Sequence, residues 1–292
     1  MPIDGPVPAD LISPLAAVTL FVLMVHVGLG VALADLRGLR AQKWLLARAL
    51  LCALVVMPAI ALVSARLFAL PREAAIGIAL MAIAPGAPVA LRRSIDAGAN
   101  RTFAPALQVL IVLAAVVSMP TWVASLNHVY SGHASVEPGA LARQLLVAQV
   151  LPLAVGIVLR LVRPGLADWL DGRLGRIAAA LVIALTLVVL VNVWSPVVDA
   201  GLRVAAAIAF ITAATLAAGH ALGGPDPAAR PVVAICSAGR NPGLALLVAT
   251  ANGATPPMIA TVLAYVVVSG VMIVGYVLWR RVRRTRAGAA AR

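Results

Sequence analysis

The sequence predicts an all-α polytopic membrane protein with about nine transmembrane helices. Three observations carry that prediction. Apolar residues make up 63% of the 292 and charged residues only 11%, against about 45–50% and about 25% in soluble domains. Runs of Leu, Val, Ala and Ile recur down the whole length, many near the ~20 residues that span a hydrocarbon core. The connections are short, the longest near 127–140, so no soluble domain fits between them.

Spans are expected at 11–33, 44–68, 73–98, 102–126, 141–161, 176–197, 202–222, 230–250 and 256–279. The opening MPIDGPVPAD has no basic region before its first apolar run, so it does not read as a cleaved signal peptide. Asp4 and Asp10 stand there without Lys or Arg, which suits an outside terminus. Basic residues then sort by side. With the C-terminus cytoplasmic, the inner segments hold Arg37, Arg40, Lys43, Arg101, Arg160, Arg163, Arg173, Arg176 and Arg230. The tail WRRVRRTRAGAAAR joins them with Arg280, Arg281, Arg283, Arg284, Arg286 and Arg292. The outer segments hold only Arg66, Arg72, Arg143 and Arg203. This predicts a multi-pass protein of the plasma (inner) membrane with its N-terminus outside.

The same distribution explains the formal charge of +13. Aromatics are 4% and no basic stripe interleaves with them, so the expected partner of the tail is the lipid bilayer, at ~1 kcal/mol per basic residue. Nucleic acid is not an expected partner. Cys52 and Cys236 lie far apart inside apolar segments, which is neither a disulfide framework nor a metal-ligand spacing. No metal and no cofactor is expected. Nor is an enzyme, because the sequence carries no HExxH, phosphate-cradling loop or nucleophile–base pair.

Four charges remain inside apolar segments: Arg92, Arg93, Asp96 and Arg240. Arg48 is close enough to a span end to snorkel. A charge at the bilayer centre costs at least ~2.5–3.5 kcal/mol, so such residues are functional candidates. The first knot reads MAIAPGAPVALRRSIDAG. Pro85 and Pro88 flank Gly86, which should break the third span, since Pro removes a donor and Gly loosens the helix. A half-helix should restart near Pro88, with Arg92 and Asp96 spaced to share one face. The second knot is CSAGRNPGLALL. Gly239, Pro242 and Gly243 should break the eighth span, and Pro242 suits a first helical position. Irregular backbone at that depth needs cover from protein or a water-filled cavity.

Each break falls in the next-to-last span of its half, the pattern of inverted repeats around a transport site. We therefore expect one transporter domain over 1–292. A first repeat of four spans (11–126) has lost its opening helix, a second has five (141–280), and a basic tail covers 281–292.

With these motifs in place, the chain resembles the bile acid:sodium symporter family over nearly its whole length. VLMVHVGLGVALADLRGL, MPAIAL, APGAPVALRRSIDAGA and GRNPGLALLVAT sit where that family has its early helix, its Pro-containing helix and its two helix breaks. The resemblance implies inverted repeats forming panel and core domains, with the broken helices crossing in the core. It also implies a small organic anion bound in the cleft and alternating access by motion of one domain against the other.

The departures fall on the sodium ligands that the resemblance implies. VALRRS stands where the family has Ser-Asn, and Cys236, Ser237 and Ala238 where it has a Glu. Arg240 replaces a Gln beside Asn241, and Ala53 takes the place of another Gln. Phe103 and Leu107 fall where hydroxyls are expected, with Thr102 and Gln108 one position off. The expected site is accordingly a guanidinium in place of a bound cation: Arg240 and Asn241, with Arg92, Arg93 and Asp96 nearby. Two roles for Arg240 stand open, gripping a substrate carboxylate or locking the core through Asp96 or exposed carbonyls. The alternatives for the whole chain are a sodium- or proton-coupled symporter with rearranged ligands, or a channel-like or non-transporting protein of the same fold. His26, Asn192 and Trp194 read as packing or interface residues. Thr102, Gln108, Gln149, Thr212 and Ser269 are candidates to line the cleft.

Overall fold

Among the described residues every predicted span is helical, seven as continuous helices and two as pairs of half-helices. The computed structural model describes residues 9–31, 39–86, 88–98, 103–129, 137–199 and 201–290. The helices are α1 (Ala9–Leu29), α2 (Lys43–Leu67), α3 (Arg72–Ile83), α4 (Pro88–Asp96), α5 (Phe103–Val129) and α6 (Pro138–Val162). They continue with α7 (Pro164–Asp199), α8 (Gly201–Leu222), α9 (Ala229–Ala238), α10 (Pro242–Ala251) and α11 (Pro256–Ala290). Among the described residues there is no strand. By length and composition α2, α5, α6, α8 and residues Pro256–Arg286 of α11 can each cross a membrane. The protein is an all-α polytopic membrane protein.

Two ends run further than the apolar pattern. Helix α7, the sixth predicted span, starts at Pro164 rather than near 176, because Pro favours a first helical turn and the polar turns after it hold themselves. There Arg160 bonds Asp168 at 2.5 Å, and the Arg173 guanidinium lies 3.8 Å from the centre of the Trp169 ring. The last helix passes 279 and carries the basic tail to Ala290, since Arg and Ala are good helix formers once hydropathy no longer decides.

One group of helices consists of α1, α6 and α7, packed on one another. At the α1–α6 crossing Gly28 and Gly156 face each other. A Cβ on Gly156 would come within 2.9 Å of the Gly28 Cα and closer still to the Val25 carbonyl oxygen. Small residues at such crossings let backbones approach, which is how helices gain contact in lipid. The other helices pack as a second group, with α11 against α3 and α8, and α9 against α8 and α4. At the α8–α9 crossing a Cβ on Gly219 would meet Ala234 backbone at 2.5 Å.

Helix α2 contains a π-turn at Cys52–Val56, just ahead of Pro58. The Met57 N–H bonds back to the Cys52 carbonyl, and Pro58 has no N–H to offer the carbonyls of Ala53 and Leu54. Each freed oxygen finds a side-chain donor. Trp122 Nε1 of α5 donates to Leu54 at 2.8 Å, and Arg240 Nη2 donates to Ala53 at 2.8 Å. Trp122→Phe should therefore lower stability by about 1–3 kcal/mol through an unsatisfied carbonyl, read as a lower unfolding midpoint in detergent. An unchanged midpoint would mean that another donor serves Leu54.

Candidate functional site

The two interrupted helices meet at their breaks. Gly86 has φ +85°, a conformation open to Gly and strained for other residues, which fixes where α3 can turn aside before α4. Across from it, Gly239 closes α9 with its N–H on the Ile235 carbonyl at 2.7 Å and an extended backbone. Pro85 and Arg240 then pair as an isolated antiparallel bridge, and the Asn241 N–H donates to the Ala84 carbonyl at 3.0 Å. The exposed backbone of one break thus satisfies the other.

Asn241 caps α10: its Oδ1 accepts from the Leu244 N–H at 3.1 Å, with Pro242 in the first turn. That use of the oxygen fixes the amide, and Nδ2 is left buried with no partner among the described residues. Arg240 is only 5% exposed. A guanidinium has five N–H donors. Nη2 is on Ala53, while Nε and Nη1 are buried and unpaired among the described residues.

Arg240 and Asn241 line a cavity of about 200 Å³. One wall is α1 and α7 (Thr19, Leu20, Leu23, Val182, Leu185), and the other is the second break with parts of α3, α4, α10 and α11. The lining is mostly apolar. It includes two arginines, Arg240 and Arg93, and no carboxylate among the described residues. Chemically this arrangement can accept a small anion with an apolar body. A buried cation without a partner is strongly unfavourable, and a carboxylate offers a matching fork of acceptors.

The predicted site residues do not all converge. Arg93 lies in the cavity wall and is exposed. Asp96 is exposed at the far end of α4, where its backbone carbonyl accepts from Arg281 Nε at 3.4 Å. It forms no ion pair with Arg240. The side chain of Arg92 lies outside the described residues. Pro85, Gly239, Pro242 and Gly243 stand at the crossing, and Pro88 opens α4.

Of the lesser candidates, Ser269 lines the cavity, whereas Gln108, Gln149 and Thr212 are buried and are not among its lining residues. Thr102 and the side chains of Asn192 and Trp194 lie outside the described residues. His26 sits 3.2 Å from Asp171. Sequence reasoning missed Thr19 in the cavity wall and Tyr265, fully buried within electrostatic reach of Arg240. A tyrosine in the run TVLAYVVVSG was the available signal, since a buried phenol needs company for its hydroxyl.

Residues 17–195 match the Sodium Bile acid symporter family. The chain belongs to that family. Members of the Sodium Bile acid symporter family are transporters rather than enzymes, and at that level this protein is a symporter-like membrane transporter. The matched segment ends before the second break, so Arg240 and Asn241 lie beyond it. The chain matches no curated protein.

Proposed function

We propose that the protein is a secondary transporter of small organic anions in which the Arg240 guanidinium replaces a reversibly bound metal cation. One observation carries the reading: an almost fully buried guanidinium, with two of its nitrogens unpaired among the described residues, lines an apolar cavity that has no carboxylate among its described lining residues. Arg240 and Asn241 Nδ2 hold the anion's head, Arg93 draws anions toward the cavity, and Leu20, Leu185 and Leu263 pack against the apolar body. Alternating access then moves α1, α6 and α7, the panel, against the remaining helices, the core. The four-plus-five inverted repeats give the two halves their opposite directions. The N-terminus outside and the basic α11 tail in the cytoplasm complete the topology in the plasma membrane.

Uptake by reconstituted protein is expected to be unchanged when potassium replaces sodium. Strict sodium dependence would refute the tethered-cation reading. A thermal-shift titration with monoanions from keto acids to steroid acids tests the anion site itself, since failure of all of them to stabilise the protein would overturn it. One observation favours a second reading. Gln108 is buried against Gly86 of the first break, and its amide oxygen is unpaired among the described residues. That oxygen suits an alkali ion in a rearranged site, and the sodium-replacement experiment separates the two readings.

A further inference from the structure

A metal cation that binds reversibly can leave before an empty carrier returns; a guanidinium cannot. We infer that this protein is an obligatory exchanger, in which an anion must be carried out for each anion carried in. The inference rests on the reading of Arg240 as the anion contact. Its physical basis is the charge left behind when the cavity empties.

Arg240 stays protonated in any protein environment. Among the described residues its one protein acceptor is the Ala53 carbonyl at 2.8 Å, and Nε and Nη1 have none. Asp96 is exposed at the other end of α4 and is no internal counter-ion. When the cavity is open, water solvates the free N–H groups. On the alternating-access reading α1 and α7 slide across the break during reorientation, so Leu20 and Leu185, which share the cavity lining with Arg240, close on the guanidinium and drive that water out. An empty carrier must therefore seal an uncompensated charge into an apolar seam, and a buried cation with no partner is costly. With an anion seated, the same movement carries a neutral, hydrogen-bonded pair. Arg93 does not change the comparison, because it is exposed at the cavity wall rather than buried with Arg240. Taking the low end of the cost of a charge at mid-membrane, the loaded form should reorient about a hundredfold faster than the empty one.

Trans-stimulation measures this directly. The full-length protein is reconstituted into liposomes with potassium chloride and valinomycin on both sides, so that charge movement does not limit flux. The probe is labelled phenylpyruvate, a strong acid that stays ionised and leaks slowly. Uptake is compared between vesicles preloaded with unlabelled phenylpyruvate and vesicles without it. The expected result is uptake faster by about two decades, and at least tenfold, in the preloaded vesicles. Equal rates in the two preparations, with phenylpyruvate still stabilising the protein in thermal shift, overturn exchange and leave the anion site standing. Binding without uptake in either preparation overturns it as well. If phenylpyruvate stabilises the wild type no more than Arg240→Gln, the anion reading itself fails and exchange falls with it.

Discussion

Arg240→Ala is expected to abolish anion binding while the protein remains folded. Removing one partner of a buried charge pair costs roughly 2–5 kcal/mol, so affinity should fall between about thirtyfold and several thousandfold. Stability should move little, because two effects oppose each other. The Ala53 carbonyl loses its donor, which costs about 1–3 kcal/mol. At the same time the fold no longer has to bury a cation with two unpaired nitrogens. Arg240→Lys should restore little of the affinity, since an ammonium is a point charge and lacks the planar fork that matches a carboxylate. Titration of phenylpyruvate by thermal shift or calorimetry checks both variants. Normal binding by Arg240→Ala would remove Arg240 from the site.

Gly156→Val should disrupt assembly more than any change in the cavity. Its new Cβ would be driven against the Val25 carbonyl oxygen and the Gly28 Cα. Both are backbone atoms and cannot rotate away, so α1 and α6 must part. Overpacking costs about 1–3 kcal/mol where side chains can adjust, and we expect the upper end or more. The reading is a loss of monodisperse protein in detergent chromatography and a lower unfolding midpoint. Gly28→Val should do the same, and the double variant should be less than additive because both changes act on one crossing. Gly165→Ala is the control, having nothing within 4 Å of its would-be Cβ. Normal yield and melting of Gly156→Val would show that this crossing does not hold the two helices together.

Much of the fold was legible because membrane depth leaves a coarse signature. Apolar runs near ~20 residues give helices, and GAP or NPG inside such a run gives a break, for Pro and Gly act through local sterics. The same locality placed the restart of α10 at Pro242 and of α4 at Pro88. Helix ends outside the hydrocarbon were less legible. Hydropathy fell silent at 164–175 and beyond 279, and ordinary helix propensity continued both helices.

The site was half legible. Arg240 stood out as a charge where charge is expensive, and Asn241 beside it. Asp96, four residues from Arg92 in sequence, suggested a nearby counter-charge, yet α4 carries it away from the crossing to an exposed end. Spacing along one helix says which residues share a face, not what that face meets. Nothing local could pair Arg240 with the Ala53 carbonyl, separated by 187 positions. That oxygen is free only because a π-turn and Pro58 together withhold its usual donor.

By itself, then, the sequence determined an all-helical membrane protein with two interrupted helices and a guanidinium at the second interruption. Those features follow from the cost of moving charges and bare backbone out of water, which each stretch of chain meets on its own. The tertiary structure alone decided that the interruptions bridge at Pro85 and Arg240, that Asp96 stays outside, and that Nε and Nη1 of Arg240 are unpaired among the described residues beside a mostly apolar cavity. Those depend on which helices come to lie against one another, and contacts between distant segments are not written in any local pattern.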